Sequence, residues 1–356
     1  MTTRRGFLAT LVAATAAPTL TWADAGSPRF LAAAQEPTGS FALFGLTSQG
    51  KETFRIALPA RGHAGAGHPK RPQAVTFARR PGTYALVIDC ARGRVTQTLA
   101  APNGYHFSGH GAFSADGDTL FTGEVDNSTG AGWIGKWSQS EGYRRIGSFP
   151  SGGIGPHEIV RLPDGHLAVA NGGIIAALDD ERTKLNIDTM RPNLSYLAPD
   201  GTLVDQIELP QDLHQNSIRH LATRPDGTVA FAMQWEGDSA LHPPLLGLHM
   251  RGEIPALCDT PAPLAPRMRQ YVGSVAFDAG GQQIAITCPK GGVVALFDHK
   301  GQFTDMATRA DVCGIGPVPG GFVVTDGFGG ILELGTDGQR PLALFDRTWD
   351  NHLVLV

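Results

Sequence analysis

Residues 108–122 read Ser-Gly-His-Gly-Ala-Phe-Ser-Ala-Asp-Gly-Asp-Thr-Leu-Phe-Thr. A short run that opens on a histidine is followed by Asp116-Gly117 and then by a second run with apolar residues at alternate positions. An Asp-Gly pair between two such runs is typical of a tight β-hairpin, because the turn needs a residue that tolerates positive φ. The stretch therefore predicts two antiparallel strands joined by a structural turn.

Variants of this hairpin recur along the chain. His63, His110 and His157 are each separated by 47 residues, and the next copy follows after an insertion between about residues 172 and 191. The fifth copy, at residues 271–281, has Ser274 where the others have histidine, and the sixth, at residues 311–321, has no histidine. The chain ends on a lone strand that opens on His352, and the histidines of the other copies are His63, His110, His157 and His220.

The repeat predicts an all-β, seven-bladed β-propeller. Residues 26–356, which we expect to form a single domain, allow about 47 residues for each of seven blades, a length typical of propeller blades. The lone C-terminal strand needs partners, and residues 30–34, 41–46 and 52–58 are three candidate strands near the N-terminus. We expect these four strands to close the last blade, which removes the open sheet edges. A β-sandwich, the alternative, predicts no such circular period.

The N-terminus resembles an export signal. Arg4-Arg5 precede an apolar run at residues 7–17, and Ala23-Asp24-Ala25 supplies a small-x-small cleavage site. This order of features is typical of a twin-arginine (Tat) signal, so residues 1–25 are predicted to direct the protein to the periplasm. The apolar run is too short for a permanent membrane anchor, and none is predicted.

Composition excludes several classes of function. The net charge of −4 and the 17% of charged residues leave no basic surface of the kind that binds nucleic acid. Gly-x-Ser-x-Gly, Walker, His-Glu-x-x-His and Cys-x-x-Cys-His motifs are absent. The cysteines are far apart in sequence and form no Cys-x-x-Cys pair, so we expect buried free thiols at Cys90, Cys258, Cys288 and Cys313.

The recurring histidines are the candidate functional residues. The first strand of each propeller blade lines the central channel, so five imidazoles are expected at one mouth of it. Such a cluster suits a transition metal such as iron, copper or zinc, or an anion if the rings are protonated. The candidate metal ligands are His63, His110, His157, His220 and His352. The candidate ligand-binding neighbours are Arg61, Glu158, Arg219, Ser274, Cys313 and Asp350.

Structural roles compete with this interpretation. In WD40-like repeats, a histidine at the same place holds a loop through hydrogen bonds and touches no ligand. His157 also precedes its turn glycine by eight residues, where His110 precedes its own by seven. Strand alternation would then turn either His157 or Glu158 away from the channel.

Two further groups of charged residues have alternative structural and functional explanations. Acidic residues near 124–126 and 236–238 fall at the ends of inner hairpins, where they are expected to cap loops, with a bound cation such as calcium as the alternative. The charged insertion at 179–186 is expected to form a surface loop that can cover the channel.

Several longer motifs resemble an uncharacterised bacterial family of Tat-exported β-propellers. They occupy residues 103–111, 143–158, 184–190, 217–221, 271–275 and 310–314. Members of that family resemble components of iron-uptake gene clusters, beside imelysin-like and di-haem peroxidase-like proteins. The resemblance implies a propeller fold and an iron-related setting, and it supplies no catalytic residues. Ser108 departs from the family pattern, which would place an aromatic residue there.

Three functions are consistent with the sequence. The first is a non-catalytic, monomeric periplasmic protein that binds a metal or small ligand at the histidines and docks with iron-uptake proteins. The second is a propeller enzyme, a lactonase-like hydrolase or an oxidoreductase, that uses His157, Glu158 and a bound cation. The third is a protein-interaction scaffold without a ligand.

Overall fold

Seven antiparallel sheets are arranged in a ring around a central channel. The computed structural model describes residues 20–79, 82–177 and 183–356. Six blades each contain four strands that are consecutive in the chain, and the remaining blade combines strands from both ends of the chain. The predicted all-β, seven-bladed propeller is therefore confirmed. Helical structure in the described residues is limited to single 3₁₀ turns at Trp22–Ala25, Ile187–Thr189, Gln211–Leu213 and Ala265–Met268.

The blades are numbered in chain order, and the innermost strand of blades 2 to 7 is the first strand of each. Blade 1 contains β1 (Phe30–Gln35), β2 (Phe41–Leu46) and β3 (Glu52–Leu58). Blade 2 contains β4 (Gly62–Gly67), β5 (Gln73–Ala78), β6 (Ala85–Asp89) and β7 (Arg94–Leu99). Blade 3 contains β8 (Tyr105–Phe113), β9 (Thr119–Asp126), β10 (Ala131–Ser138) and β11 (Arg144–Ile154).

The remaining blades follow the same order around the ring. Blade 4 contains β12 (Pro156–Arg161), β13 (Leu167–Asn171), β14 (Asn193–Leu197) and β15 (Leu203–Glu208). Blade 5 contains β16 (Asn216–Thr223), β17 (Val229–Trp235), β18 (Leu246–His249) and β19 (Ala256–Cys258). Blade 6 contains β20 (Ser274–Phe277), β21 (Gln283–Cys288), β22 (Val293–Asp298) and β23 (Phe303–Thr308). Blade 7 contains β24 (Val312–Val318), β25 (Gly321–Asp326), β26 (Gly330–Gly335) and β27 (Gly338–Leu344).

Blade 1 closes the ring. The C-terminal segment forms β28 (Thr348–Trp349) and β29 (Val354–Leu355), and both pair antiparallel with β1. Trp349 lies opposite Ala34, and Val354 lies opposite Leu31. The expected single closing strand is thus split in two, because residues 350–353 leave the ladder. That interruption contains His352.

The Asp-Gly turns are structural, as the sequence predicts. Gly117, Gly165 and Gly227 each have φ between +84° and +91° and connect the first two strands of blades 3, 4 and 5. Gly201 and Gly338 also have positive φ and connect the two outer strands of blades 4 and 7. Only glycine adopts this conformation without strain, which explains why the pairs recur in sequence.

The core lies between the blades and is predominantly apolar. Fully buried aromatic side chains such as Phe77, Phe231 and Phe297 fill the interfaces between neighbouring sheets. The four cysteines are all buried and free, which confirms the expectation from their spacing. With the blade interfaces filled in this way, the polar groups of greatest interest are those in the channel.

β-Bulges interrupt the inner strands where the histidines lie. The pairing register shifts between Gly62 and Gly65 in blade 2, between Phe107 and Gly111 in blade 3, and between Pro156 and Ile159 in blade 4. A further shift in blade 5 ends at His220. A bulge leaves residues outside the regular ladder and re-aims their side chains. The histidines therefore turn into the channel instead of following strand alternation.

The predicted N-terminal export signal lies mostly outside the described residues, which begin at residue 20. Within the part that is described, the indole nitrogen of Trp22 donates a hydrogen bond to the carbonyl oxygen of His68 at 3.2 Å. None of the described helices has the length and apolar character needed to cross a bilayer.

Candidate metal centre

Five imidazole rings pack together inside the channel. The centroids of neighbouring rings are 4.7–5.1 Å apart around a closed circuit. The circuit runs through His63, His110, His157, His220 and His352. These residues lie deeper than the channel mouth that the sequence predicts, because the bulges place His110 and His220 well inside their strands. The side chain of His63 is 11% exposed, and the other four residues are buried. We call this group the histidine layer.

Three members of the layer form a potential metal-binding group. Ligand atoms of His63, His110 and His352 all lie within 4.8 Å of one another. The Nε2 atoms of His63 and His110 are 3.2 Å apart. Two nitrogens bonded to one tetrahedral ion at about 2.05 Å are separated by about 3.3 Å. The two rings are hydrogen-bonded at this distance, which is also the spacing of two ligands on one metal ion, so the cluster could hold a metal.

A close approach of two blades permits this geometry. Gly109 has φ of +101°, and a Cβ atom at this position would lie 2.6 Å from Cδ2 of His63. Glycine therefore allows the blade 3 backbone to approach the His63 ring, and any larger residue would push the two apart. The Gly109-His110 pair in the sequence thus has a packing role as well as a turn-like conformation.

Several ring nitrogens in the layer have no hydrogen-bond partner among the described residues. They are buried Nδ1 atoms of His63, His157 and His220 and the buried Nε2 atom of His352. A loop-holding histidine of the WD40-like kind would use such an atom to bond loop backbone. These four atoms do not, so the layer differs from that structural arrangement. Buried polar atoms without partners are costly, and a bound metal ion would satisfy some of them.

Two carboxylates lie just behind the layer. Oδ1 of Asp350 is 4.0 Å from Nδ1 of His63, and Oε2 of Glu158 is 3.5 Å from Nδ1 of His220. Arg61 also donates from Nε to Asp350 at 2.5 Å. Carboxylates behind histidine ligands are a common feature of metal sites, where they orient the ring and increase its basicity.

Burial keeps the imidazoles in the neutral form that binds metal. It lowers the pKa of His220 to about 3, to which the charge of Arg219 adds, and that of His352 to about 4. The pKa values of His63 and His157 are likewise well below the usual range, chiefly because of burial. At neutral pH these rings therefore present lone pairs and do not compete with a metal ion through their protons.

The histidine layer separates two cavities at opposite ends of the channel. On the side where the inner strands begin, a cavity of about 650 Å³ contacts His63, His157 and His220. On the other side, a cavity of about 520 Å³ contacts His352 and is lined mainly by apolar residues such as Ile159 and Phe277. We call the first the basic funnel, because its described lining includes Arg61, Arg79, Lys184, Arg219, Arg269 and Lys290.

Only part of the positive charge in the funnel is balanced. Glu236 is the carboxylate among the described lining residues, and it pairs with Lys184. Lys290 lies over the Tyr271 ring, with Nζ 4.3 Å from the ring centroid. Nε of Arg219 is buried without a hydrogen-bond partner, and burial lowers the pKa of this guanidinium. The funnel is thus electropositive directly above the histidine layer.

Four of the six predicted ligand-binding neighbours line one of the two cavities, whereas Cys313 and Asp350 belong to neither lining. Arg61 and Arg219 line the basic funnel, whereas Glu158 and Ser274 line the apolar cavity. Cys313 is buried, its backbone carbonyl accepts a hydrogen bond from Thr287 at 2.5 Å, and burial raises the pKa of its thiol well above the usual value. Cys313 lies outside the metal-binding group identified among the described residues.

His157 and Glu158 both reach the channel, contrary to the strand alternation expected from sequence. The bulge between Pro156 and Ile159 removes that alternation, so His157 faces the funnel and Glu158 faces the apolar cavity. Burial raises the pKa of Glu158. The enzyme hypothesis based on this pair requires both side chains to line one cavity. They line two different cavities.

The other acidic groups singled out in the sequence have structural partners. Glu124 is fully buried and forms a two-pronged ion pair with Arg145. Asp126 accepts hydrogen bonds from the backbone of Ser128 and Thr129, which is the expected loop-capping role. The predicted channel-covering insertion is described only in part, since residues 178–182 are outside the described ranges. Its described portion contributes Lys184 to the funnel.

Several funnel residues were not anticipated from the sequence. Arg79 follows β5, and Arg269 and Lys290 lie in connections outside the recurring hairpin. These three residues lie outside the repeated histidine motif, so the repeat does not predict them. Arg79 and Lys290 follow the second strands of their blades, and Arg269 lies in the loop before an inner strand. Their shared position at the funnel is visible only in the folded ring.

A family model described as a protein of unknown function (DUF1513) matches residues 56–356. The chain belongs to this family. The match spans blades 2 to 7 together with β3 and the closing strands, so it includes all five histidines of the layer. Among curated proteins, none matches the sequence significantly.

Solved structures show similarity of fold only. Hydrazine synthase from Kuenenia stuttgartiensis has a TM-score of 0.56 and 13% identity, over 85% of this chain and 88% of that one. A streptogramin B lyase structure has a TM-score of 0.53 and 14% identity, over 80% and 84%. Chaetomium thermophilum Raptor has a TM-score of 0.57 and 13% identity, over 84% of this chain and 25% of Raptor.

Proposed function

We propose that this protein is a periplasmic β-propeller that binds one transition-metal ion in its channel and serves as an accessory protein in iron acquisition. The observation that carries the proposal is the convergence of His63, His110 and His352, which come from three different blades and are far apart in sequence. Fold closure alone does not require imidazoles at all three positions. A shared ligand explains why they meet.

The donor set favours particular metals. Three neutral imidazole nitrogens suit iron, copper or zinc, whereas calcium and magnesium prefer oxygen ligands. His157 and His220 complete the layer, with ring centroids 4.7 Å from that of His110 and 5.1 Å from that of His352, respectively. Asp350 would orient His63 from behind.

The proposed setting comes from the sequence. The twin-arginine pattern at residues 4–5 supports export by the Tat route, which carries folded proteins. A site assembled from three blades exists only in the folded protein, so a metal could be loaded before export. The resemblance to components of iron-uptake clusters supports an iron-related role and periplasmic iron-uptake proteins as partners of a monomeric propeller.

Metal titration tests this function. Protein freed of metal with a neutral chelator is titrated with Zn²⁺, Cu²⁺ and, without oxygen, Fe²⁺, and the expected result is saturation at one ion per chain for at least one of these. Calcium and magnesium are expected not to compete. Absence of saturable binding for all three transition metals would overturn the proposed function.

Asp350→Asn is expected to weaken metal binding about 10- to 100-fold, the usual effect of removing a carboxylate behind a histidine ligand. The amide keeps the size of the side chain but loses the charge near Nδ1 of His63. Arg61→Gln is the matched control, because it breaks the same ion pair and leaves the carboxylate in place. The assignment fails if Asp350→Asn binds metal as tightly as the wild type, or if both variants lose the same affinity.

A further inference from the structure

We propose that the basic funnel binds a small anion with at least two carboxylate groups, positioned directly above the histidine layer. One of these carboxylates would complete the coordination of the ion held by the histidines, and this part of the inference rests on the proposed function. The anion site itself is argued from the funnel alone.

The basic side chains of the funnel are only partly balanced by carboxylates. Of the six basic residues in the funnel, Arg61 and Lys184 have acidic partners, Asp350 and Glu236. The other four have no ion-pair partner among the described residues, and these are Arg79, Arg219, Arg269 and Lys290. Cationic groups gathered around one concave space focus a positive potential and attract anions.

Two residues that line the funnel also carry buried polar atoms without hydrogen-bond partners among the described residues. Ser108 lines the funnel, is 2% exposed, and its hydroxyl has no hydrogen-bond partner among the described residues. Nε of Arg219 is in the same situation. Both groups are donors, so both suit carboxylate oxygens.

The volume of the funnel fits a small molecule. The funnel encloses about 650 Å³, which is within the range of sites for small molecules and far below what a folded partner needs. Its positive charge is distributed on several sides, from blade 2 at Arg79 to blade 5 at Arg219. An anion with two or more charged groups can pair with basic residues of more than one blade.

The anion site and the metal site are coupled electrostatically. A metal cation bound next to Arg79 and Arg219 experiences repulsion, which an anion in the funnel would offset. Three protein ligands also leave at least one coordination position of a tetrahedral ion for an external ligand. The anion and the metal should therefore bind cooperatively, and each should increase the affinity of the other by the same factor.

The test is calorimetric titration with citrate as probe and acetate as the monovalent comparison. The protein is stripped of metal with 1,10-phenanthroline, because carboxylate chelators would compete for the funnel. Citrate is expected to bind the metal-free protein at least about tenfold more tightly than acetate. Arg79→Gln and Arg219→Gln should each weaken citrate about tenfold or more. Arg144→Gln, an exposed residue outside the funnel, removes the same charge and should change nothing.

A second arm repeats the titration with the Zn²⁺-loaded protein, where citrate affinity should rise about tenfold. The anion site is overturned if citrate binds the metal-free protein no better than acetate, or if Arg79→Gln behaves like Arg144→Gln. If citrate binds as expected but Zn²⁺ does not strengthen it, the anion site stands and its contact with the metal is overturned. If citrate binds and no transition metal does, the proposed function fails while the anion site stands.

Discussion

The double variant His110→Gln/His352→Gln is expected to lose transition-metal binding, with affinity reduced about 10⁴-fold. Structural zinc sites with four ligands have binding free energies of roughly 10–16 kcal/mol, so each ligand contributes about 3 kcal/mol, or about 100-fold. Glutamine fills much of the volume of histidine and stays neutral, so packing changes little. Affinity is measured by competition with a chromogenic chelator on the full-length folded protein.

His249→Gln supplies the control for this variant. His249, in blade 5, is as deeply buried as the channel histidines, at 2% exposure, but its two ring nitrogens bond the Tyr196 hydroxyl of blade 4 and the Glu253 backbone carbonyl, away from the channel. This variant should lose stability and keep its metal affinity. Retention of metal by the double variant would place the ion elsewhere, and equal loss in both variants would show that unfolding explains the effect.

Trp349→Ala is expected to lower the free energy of unfolding by about 3–5 kcal/mol, the usual cost of truncating a buried large aromatic residue. Trp349 is 3% exposed and is one of only two residues in β28. Its ring packs edge-on against Phe44 at 5.6 Å and Phe345 at 5.8 Å. Because His352 follows in the same closing segment, metal affinity should also fall. Urea denaturation and metal titration measure the two effects.

Phe297→Ala separates closure from general loss of core. Phe297 is fully buried in blade 6 and packs edge-on against Phe303 at 5.7 Å, away from the closing segment. It should lose similar stability but retain the metal affinity of the wild type. An unfolding free energy for Trp349→Ala equal to that of the wild type would contradict the closing role of β28. Equal losses of metal affinity in Trp349→Ala and Phe297→Ala would remove the link between closure and the site.

The architecture was predictable from sequence because propeller blades repeat locally. The hairpin at residues 108–122 uses an Asp-Gly turn that only a few residue types can form, and its 47-residue spacing fits one blade. Closure was also predictable, since a lone C-terminal strand must find a partner. The split of that strand into β28 and β29 was not, because nothing in the residue pattern at 350–353 distinguishes an interrupted strand from a continuous one.

The candidate site was predictable in composition and not in depth. The repeat identified the five histidines, but period-two alternation could not show that bulges turn His157 and Glu158 toward different cavities. The funnel was missed for another reason. Arg79 and Lys290 each follow the second strand of a blade, outside the repeated histidine motif, and they converge on one cavity only in the folded ring.

Anomalous diffraction from crystals loaded with one equivalent of metal tests the central claim most directly, with data collected at the iron, copper and zinc absorption edges. A single strong peak is expected in the channel, about 2.0–2.2 Å from nitrogen atoms of His63, His110 and His352. A peak bound elsewhere on the protein, or no peak in the histidine layer at any of the three edges, would contradict this expectation.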